Sequence, residues 1–231
     1  MMEVVLCIST GHDPWLVVLA VFVCCIGAFA VAQMFEHTRK TAGLPRIGWV
    51  FLTSVAAGAT IWCTHFVAML GFRPGVPVTI DPVLTILSLV VAIVGTGFGF
   101  GLATFGAQGI GVRAIGGGVA GAAIAGMHFA GMAAYRVDGV VTWRPAYVGA
   151  AVLCSVFFAA ASIAVLGSNS GLRRRLTLGT TLLVTAIATL HFVAMTAMRI
   201  APLSLSATAL SSAERQALGF ATAIVLSLIH I

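Results

Sequence analysis

His65-Phe66-Val67-Ala68-Met69 recurs letter for letter as His191-Phe192-Val193-Ala194-Met195, and between them stands His128-Phe129-Ala130-Gly131-Met132. The steps from His65 to His128 and from His128 to His191 are both 63 residues. Arg73, Arg136 and Arg199 each follow their histidine by eight residues, so the unit reads His-Phe-x-x-Met-x-x-x-Arg. Positions i, i+4 and i+8 fall on one stripe of an α-helix. At 1.5 Å per residue, each arginine lies about 12 Å along the axis from its histidine. All three stretches sit inside long apolar runs, so how one is read decides how the whole chain folds.

Of the 231 residues, 60% are hydrophobic and only 8% are charged. Soluble domains carry about 25% charged residues. So few charges cannot cover a water-facing surface, and the chain reads as an all-α integral membrane protein. A bilayer core about 30 Å thick needs about 20 apolar helical residues. Six runs qualify, at roughly 15–35, 47–71, 82–105, 114–136, 146–167 and 177–199. A seventh begins near Ala217 and reaches Ile231, short for a full span.

Asp13-Pro14, Asp81-Pro82 and Arg144-Pro145 open the first, third and fifth spans. Proline suits the first helical position, where its missing N–H costs nothing. The repeat unit is therefore a helical hairpin, present three times at about 7–73, 82–136 and 145–199. Two spans return the chain to its starting side, so the three units are parallel repeats about an axis along the membrane normal. Residues 200–216 are expected to form an outer loop and 217–231 a partial seventh span. Glycines Gly95, Gly97, Gly99 and Gly101, with Gly117 and Gly121, are expected to pack helices closely.

Arg39, Lys40, Arg46, Arg113, Arg173, Arg174 and Arg175 gather in the loops of one side. The positive-inside bias makes that side cytoplasmic and places the N-terminus outside. Trp15, Trp62, Tyr135, Trp143 and Tyr147 fall near the outer ends, where an aromatic belt is expected. No basic region precedes the first apolar run, so a cleaved signal peptide is not expected. The five cysteines are scattered, which argues against a disulfide framework. The basic residues form no contiguous face interleaved with aromatics, which speaks against nucleic acid as a partner. There is no phosphate-cradling Gly-rich loop, Ser–His–Asp set or paired carboxylate arrangement, so no catalysis is expected of the domain itself.

Histidine at membrane depth is costly and needs a partner. A single one can simply hydrogen-bond between helices. Three at one level favour a shared site. Neutral imidazole is the commonest protein metal ligand, and the methionine thioether suits copper, Cu(I) above all. The candidate metal ligands are His65, Met69, His128, Met132, His191 and Met195, with His12 and Met127 as lesser candidates. His12 stands just before the first span, where it could reach the same layer or remain solvated. Cys63 points away from the stripe, and His37 and His230 fall near the other side.

Gly126-Met127-His128-Phe129-Ala130-Gly131-Met132 resembles the Met-His-Tyr-Thr signature of the MHYT domain, a bacterial integral-membrane sensor domain. The triplicated motif, the six to seven helices and His12-Asp13-Pro14 at the start are similar to that family from end to end. Phe129 and Ala130 stand where the signature has Tyr and Thr, and Met127 corresponds to Thr64 and Leu190 in the other copies. The resemblance implies a copper site near the outer face of a bacterial cytoplasmic membrane, sensing a diatomic gas (O2, CO or NO) or redox state. It also implies coupling to cytoplasmic GGDEF, EAL or histidine kinase modules, with the helix after Ala217 leading to such an output domain and a homodimer formed through it. The rival readings are a metal or small-solute transporter or channel, a copper-handling or oxidase-assembly membrane protein, and a haem protein with two axial histidines.

Overall fold

The computed structural model describes residues 2–106, 109–202 and 216–223. A short helix, α1 (Met2–Gly11), precedes six long ones: α2 (Pro14–Lys40), α3 (Leu44–Gly71), α4 (Pro82–Phe105), α5 (Ile110–Ala134), α6 (Pro145–Leu166) and α7 (Leu172–Ala197). All six long helices have the length and apolar character to cross a membrane. At 22 to 28 residues they measure roughly 33 to 42 Å. Residues 216–223 are helical as well. The rest of the expected seventh span, 224–231, and most of the expected outer loop, 203–215, lie outside the described residues.

Local chemistry sets where the spans begin. Asp13 caps α2 by accepting the Trp15 N–H at 3.0 Å, and Asp81 caps α4 by accepting those of Val83 and Leu84 at 3.0 and 3.1 Å. Pro14, Pro82 and Pro145 occupy the first turns. At the other end of the bundle α2 turns into α3 within three residues, and Gly43 at φ 69° supplies the left-handed conformation that turn needs.

Neighbouring helices pack in chain order, and α7 returns to α2, so the six close into a ring. The three motif helices are the most enclosed. Their most apolar windows are 83% (α3), 44% (α5) and 44% (α7) buried, against 39, 33 and 28% for α2, α4 and α6. Close backbone approach between α4 and α5 rests on glycine: a Cβ on Gly99 would stand 2.6 Å from the Gly116 carbonyl oxygen. Gly101, by contrast, meets nothing within 4 Å and faces outward.

The motif end of the bundle repeats one knot three times. The backbone N–H that opens each hairpin donates to the carbonyl that closes it: Asp13 to Gly71 at 2.8 Å, Asp81 to Ala134 at 2.9 Å and Arg144 to Ala197 at 3.0 Å. Short antiparallel ladders extend the knot. Strand β1 (Val78–Ile80) pairs with β2 (Tyr135–Val137), and β3 (Gly139–Trp143) pairs with β4 (Met198–Pro202). A single bridge, His12 with Phe72, stands at the matching place in the first hairpin. His12, Ile80 and Trp143 are thus equivalent positions, facing Phe72, Tyr135 and Met198. These ladders and α1 go beyond the sequence reading, which placed six spans, an outer loop and a partial seventh span.

Salt bridges follow the same pattern twice and break it once. Arg73 pairs with Asp13 at 2.6 Å and Arg136 with Asp81 at 3.0 Å. The third hairpin carries Arg144 where the others carry aspartate, and Arg144 turns instead to Glu3 of α1 at 2.7 Å. Tyr147 also donates to Glu3, and the Arg144 guanidinium lies 4.1 Å over the Tyr147 ring. The hydrogen bonds from Arg144 and Tyr147 hold the Glu3 carboxyl below its ordinary range. The reversed charge in copy three is what fastens α1 across that end of the bundle.

Two aromatics expected in the interfacial belt are buried instead. Trp62 donates its indole N–H to the Thr85 carbonyl at 3.1 Å, and Tyr135 lies in the core. Both sit on or at the end of enclosed motif helices, whereas Trp15 and Trp143 remain exposed. Cys63 does point away from the histidine stripe. Its thiol packs at 3.9 Å from the Thr222 carbonyl, so residues 216–223 lie against the back of α3.

Candidate metal centre

The ring of helices brings His65, His128 and His191 into mutual contact. Their imidazole centroids are 4.7, 5.4 and 5.4 Å apart, with rings nearly perpendicular to one another. All three are buried. His65 Nδ1 lies 3.1 Å from His128 Nδ1 and 3.3 Å from His191 Nδ1. Among the described residues these three form a group whose ligand atoms all fall within 4.8 Å of one another.

Proton counting makes this arrangement unusual. A neutral imidazole has one N–H and one lone pair. His65 Nδ1 faces two other ring nitrogens, but one ring nitrogen either donates or accepts. The Nε2 atoms of all three rings are buried without a partner. No placement of the three protons therefore gives every N–H an acceptor, and a buried unpaired donor costs about 1–3 kcal/mol. A cation at the shared Nδ1 edge would take all three lone pairs at once. Three nitrogens bound at about 2.0–2.1 Å to one ion stand about 3.3–3.6 Å apart in tetrahedral or trigonal geometry. The separations of 3.1 and 3.3 Å are close to that.

His12 belongs to the same chamber. It is only 2% exposed, and its ring meets the His191 ring edge-on at 5.9 Å. Its Nδ1 lies 3.0 Å from the Cys7 carbonyl oxygen, which can only accept, so the proton sits on Nδ1. The lone pair is then on Nε2, which is buried and unpartnered. Burial depresses the His12 pKa, opposed in part by the Cys7 hydrogen bond.

Met69, Met132 and Met195 are buried together one turn beyond the histidines. They pack with Val78 and Tyr135, and Cys7 of α1 and Met198 lie against them. The result is a soft, sulfur-rich cap over the imidazoles. Met127 lies elsewhere, in the main core with Ile124 and Leu190. On the opposite side of the imidazoles, Ile61, Ile124 and Ile187 form an apolar layer one turn down. They line a small void together with Val31, Phe100, Leu183 and the threonines Thr60 and Thr96.

Gly131 was not foreseen as part of the site. A Cβ there would stand 2.7 Å from His65 Nε2 and 3.0 Å from its Cδ2. The position is Ala68 and Ala194 in the other two copies, so the second copy has a glycine where the His65 ring needs room. The glycine, one of two departures of HFAGM from HFVAM, was the signal in the sequence.

Fold and site together define a polytopic membrane protein with a buried imidazole cluster built by threefold repetition. The chain belongs to the MHYT family: the family's sequence model, described as a bacterial signalling protein N-terminal repeat, matches residues 58–117 and 121–179. The two matches start 63 residues apart, in phase with the histidines. It is thus a signalling domain of a multi-pass bacterial membrane family. An uncharacterized signaling protein of Caulobacter vibrioides is 34% identical over 85% of this chain. A cyclic di-GMP phosphodiesterase, NbdA, of Pseudomonas aeruginosa is 30% identical over 94% of it. The bifunctional diguanylate cyclase/cyclic di-GMP phosphodiesterase MucR of the same organism is 28% identical over 67%. The chain spans only 24, 28 and 22% of the lengths of these relatives. No solved structure matches.

Proposed function

We propose that this domain senses a diatomic gas or redox state through a copper ion held by His65, His128 and His191, near the outer face of a bacterial cytoplasmic membrane. His12 supplies a fourth nitrogen, and Met69, Met132 and Met195 supply thioethers from the side facing out. The observation that carries this reading is the Nδ1 cluster, three buried ring nitrogens that cannot satisfy one another. Bound copper would supply a redox-active centre able to take up O2, CO or NO. The protein's part is to hold imidazoles neutral and oriented in a dry chamber and to shield them with α1.

The excess of basic residues at the end bearing Arg39, Arg113 and Arg175 supports the orientation with the N-terminus outside. The histidines then lie in the outer half of the bilayer. Motion of the motif helices would pass inward through residues 216–223, which pack on α3, to a cyclic di-GMP enzyme module like those named for the relatives, dimerising through that module. The layer beneath the imidazoles is mainly apolar, with Thr60 and Thr96 as the polar side chains lining the void there, their hydroxyls bonded to backbone carbonyls, which favours sensing over transport. Rings already in nitrogen contact leave no space for a haem between them.

The test is metal content. Protein purified without chelators should retain copper, and the His65→Ala/His128→Ala/His191→Ala variant, folded by circular dichroism, should retain none. Copper absent from the parent, or equal in both, would overturn the reading.

A further inference from the structure

At the opposite end of the bundle, the start of α7 builds a second site of different chemistry. Gly171 caps α7 without any side-chain hydrogen bond, and the first helical N–H to find a backbone partner there is Arg175, on the Gly171 carbonyl at 3.1 Å. The N–H groups ahead of it point out of the helix, at the positive end of its dipole. Arg173 and Arg174 are exposed beside them. Arg175 is 9% exposed, and its Nε is buried without a partner.

Beside this helix start, Arg174 and Arg175 line a groove. Its polar end is formed by Ser168, Ser170, Arg174 and Arg175. The two serine hydroxyls lie 3.3 Å apart. Its other end is formed by Ile110, Ala164, Val165 and Leu178. Ile110 and Leu178 are 72% and 42% exposed, so the apolar end is continuous with the outer apolar surface of the bundle. Glu36, the carboxylate nearest in this network, is already held by Arg39, Lys40 and Arg175. The groove therefore attracts anions, and it opens where the spans end and lipid headgroups begin.

We infer that this groove between α5, α6 and α7 binds an anionic phospholipid. The phosphate lies on the α7 N-terminus, Arg174 and the serine hydroxyls, and the upper acyl chain lies along Ile110 and Leu178. An isolated phosphate ion would use only the polar half. A zwitterionic lipid brings an ammonium to a cluster of guanidiniums. Charge and apolar surface together select a lipid with net negative charge.

Binding is read as the lipid-induced rise in Tm of the detergent-solubilised chain, titrated with phosphatidylglycerol, phosphatidylcholine or inorganic phosphate. Phosphatidylglycerol should stabilise and the other two should not. Each basic residue near such a surface contributes about 1 kcal/mol, or about fivefold in affinity. Arg174→Gln should therefore weaken the phosphatidylglycerol response about fivefold, while Arg199→Gln, an equal charge change at the other end, should leave it intact. Equal responses to both lipids, equal losses in both variants, or full reproduction of the effect by phosphate alone would each overturn the assignment.

Discussion

Two polar clusters stand at opposite ends of this bundle, one partly and one fully buried, and they are satisfied in opposite ways. At the basic end Glu36 accepts from Arg39, Lys40 and Arg175 within 3.0 to 3.4 Å. Arg39 reaches on to the Leu166 carbonyl, Arg175 to those of Leu166 and Ser168, and Arg113 to that of Gly167. Donors and acceptors there nearly balance, and the cluster ties α2 and α5 to the α6–α7 turn. At the motif end the imidazoles face one another, and four Nε2 atoms remain without partners. A folded protein retains such a deficit where something from outside completes it. The first cluster is largely satisfied within the protein and holds the helices together; the second is left incomplete, which is what the proposed copper site rests on.

That contrast can be broken in steps. The largest effect belongs to His65, whose Nδ1 touches both other rings: His65→Ala should abolish copper retention, measured by elemental analysis, while the metal-free fold survives. At the basic end the outcome reverses. Glu36→Ala leaves Arg175 buried and uncompensated and should cost about 3–5 kcal/mol, read as a lowered unfolding midpoint, with copper per folded molecule unchanged.

Gly131→Ala sharpens the comparison. The added methyl must push the His65 ring, so it should destabilise by about 1–3 kcal/mol. It should also weaken copper about 10–100-fold, in the range for disturbed ligand support. Ala194→Gly, at the matching place in copy three, should leave copper affinity near that of the parent. Titration of the chain with a competing chelator checks both.

The smallest effect concerns α1. Glu3→Gln removes the carboxylate that anchors it to Arg144 and should speed hydrogen exchange in residues 2–11. Because the Glu3 pKa is depressed, the contact is fully present above the usual carboxylate range and is lost as pH falls through the lowered value. Exchange in α1 should therefore quicken on acidification in the parent and be flat across that window in the variant.

Much of the fold was legible because it depends on local pattern. The second and third spans were read as 47–71 and 82–105 and run Leu44–Gly71 and Pro82–Phe105. The first was read as ending at 35 and continues to Lys40, because its polar last turn has a buried side that is satisfied: Thr38 bonds Thr53 at 3.2 Å and Glu36 is paired. The ladders were not legible, since Val78 finds Val137 and Trp143 finds Met198 only through the return of a helical hairpin. Nor was α1, an apolar helix of ten residues too short to span. Trp62 and Tyr135 were misplaced because amphipathic character alone does not say which face of a helix looks inward.

By itself the sequence determined the membrane class, the spans, the triplication and a stripe carrying histidine, methionine and arginine. All of these follow from composition and from the 3.6-residue period within one helix. Tertiary structure alone decided that the three stripes face one another, that His12 joins them and that Gly131 makes room for His65. Nitrogens brought within 3.1 and 3.3 Å come from residues 63 and 126 positions apart. Contact over that separation is set by how each helix is rotated against its neighbours, and that rotation is fixed by packing over the whole ring.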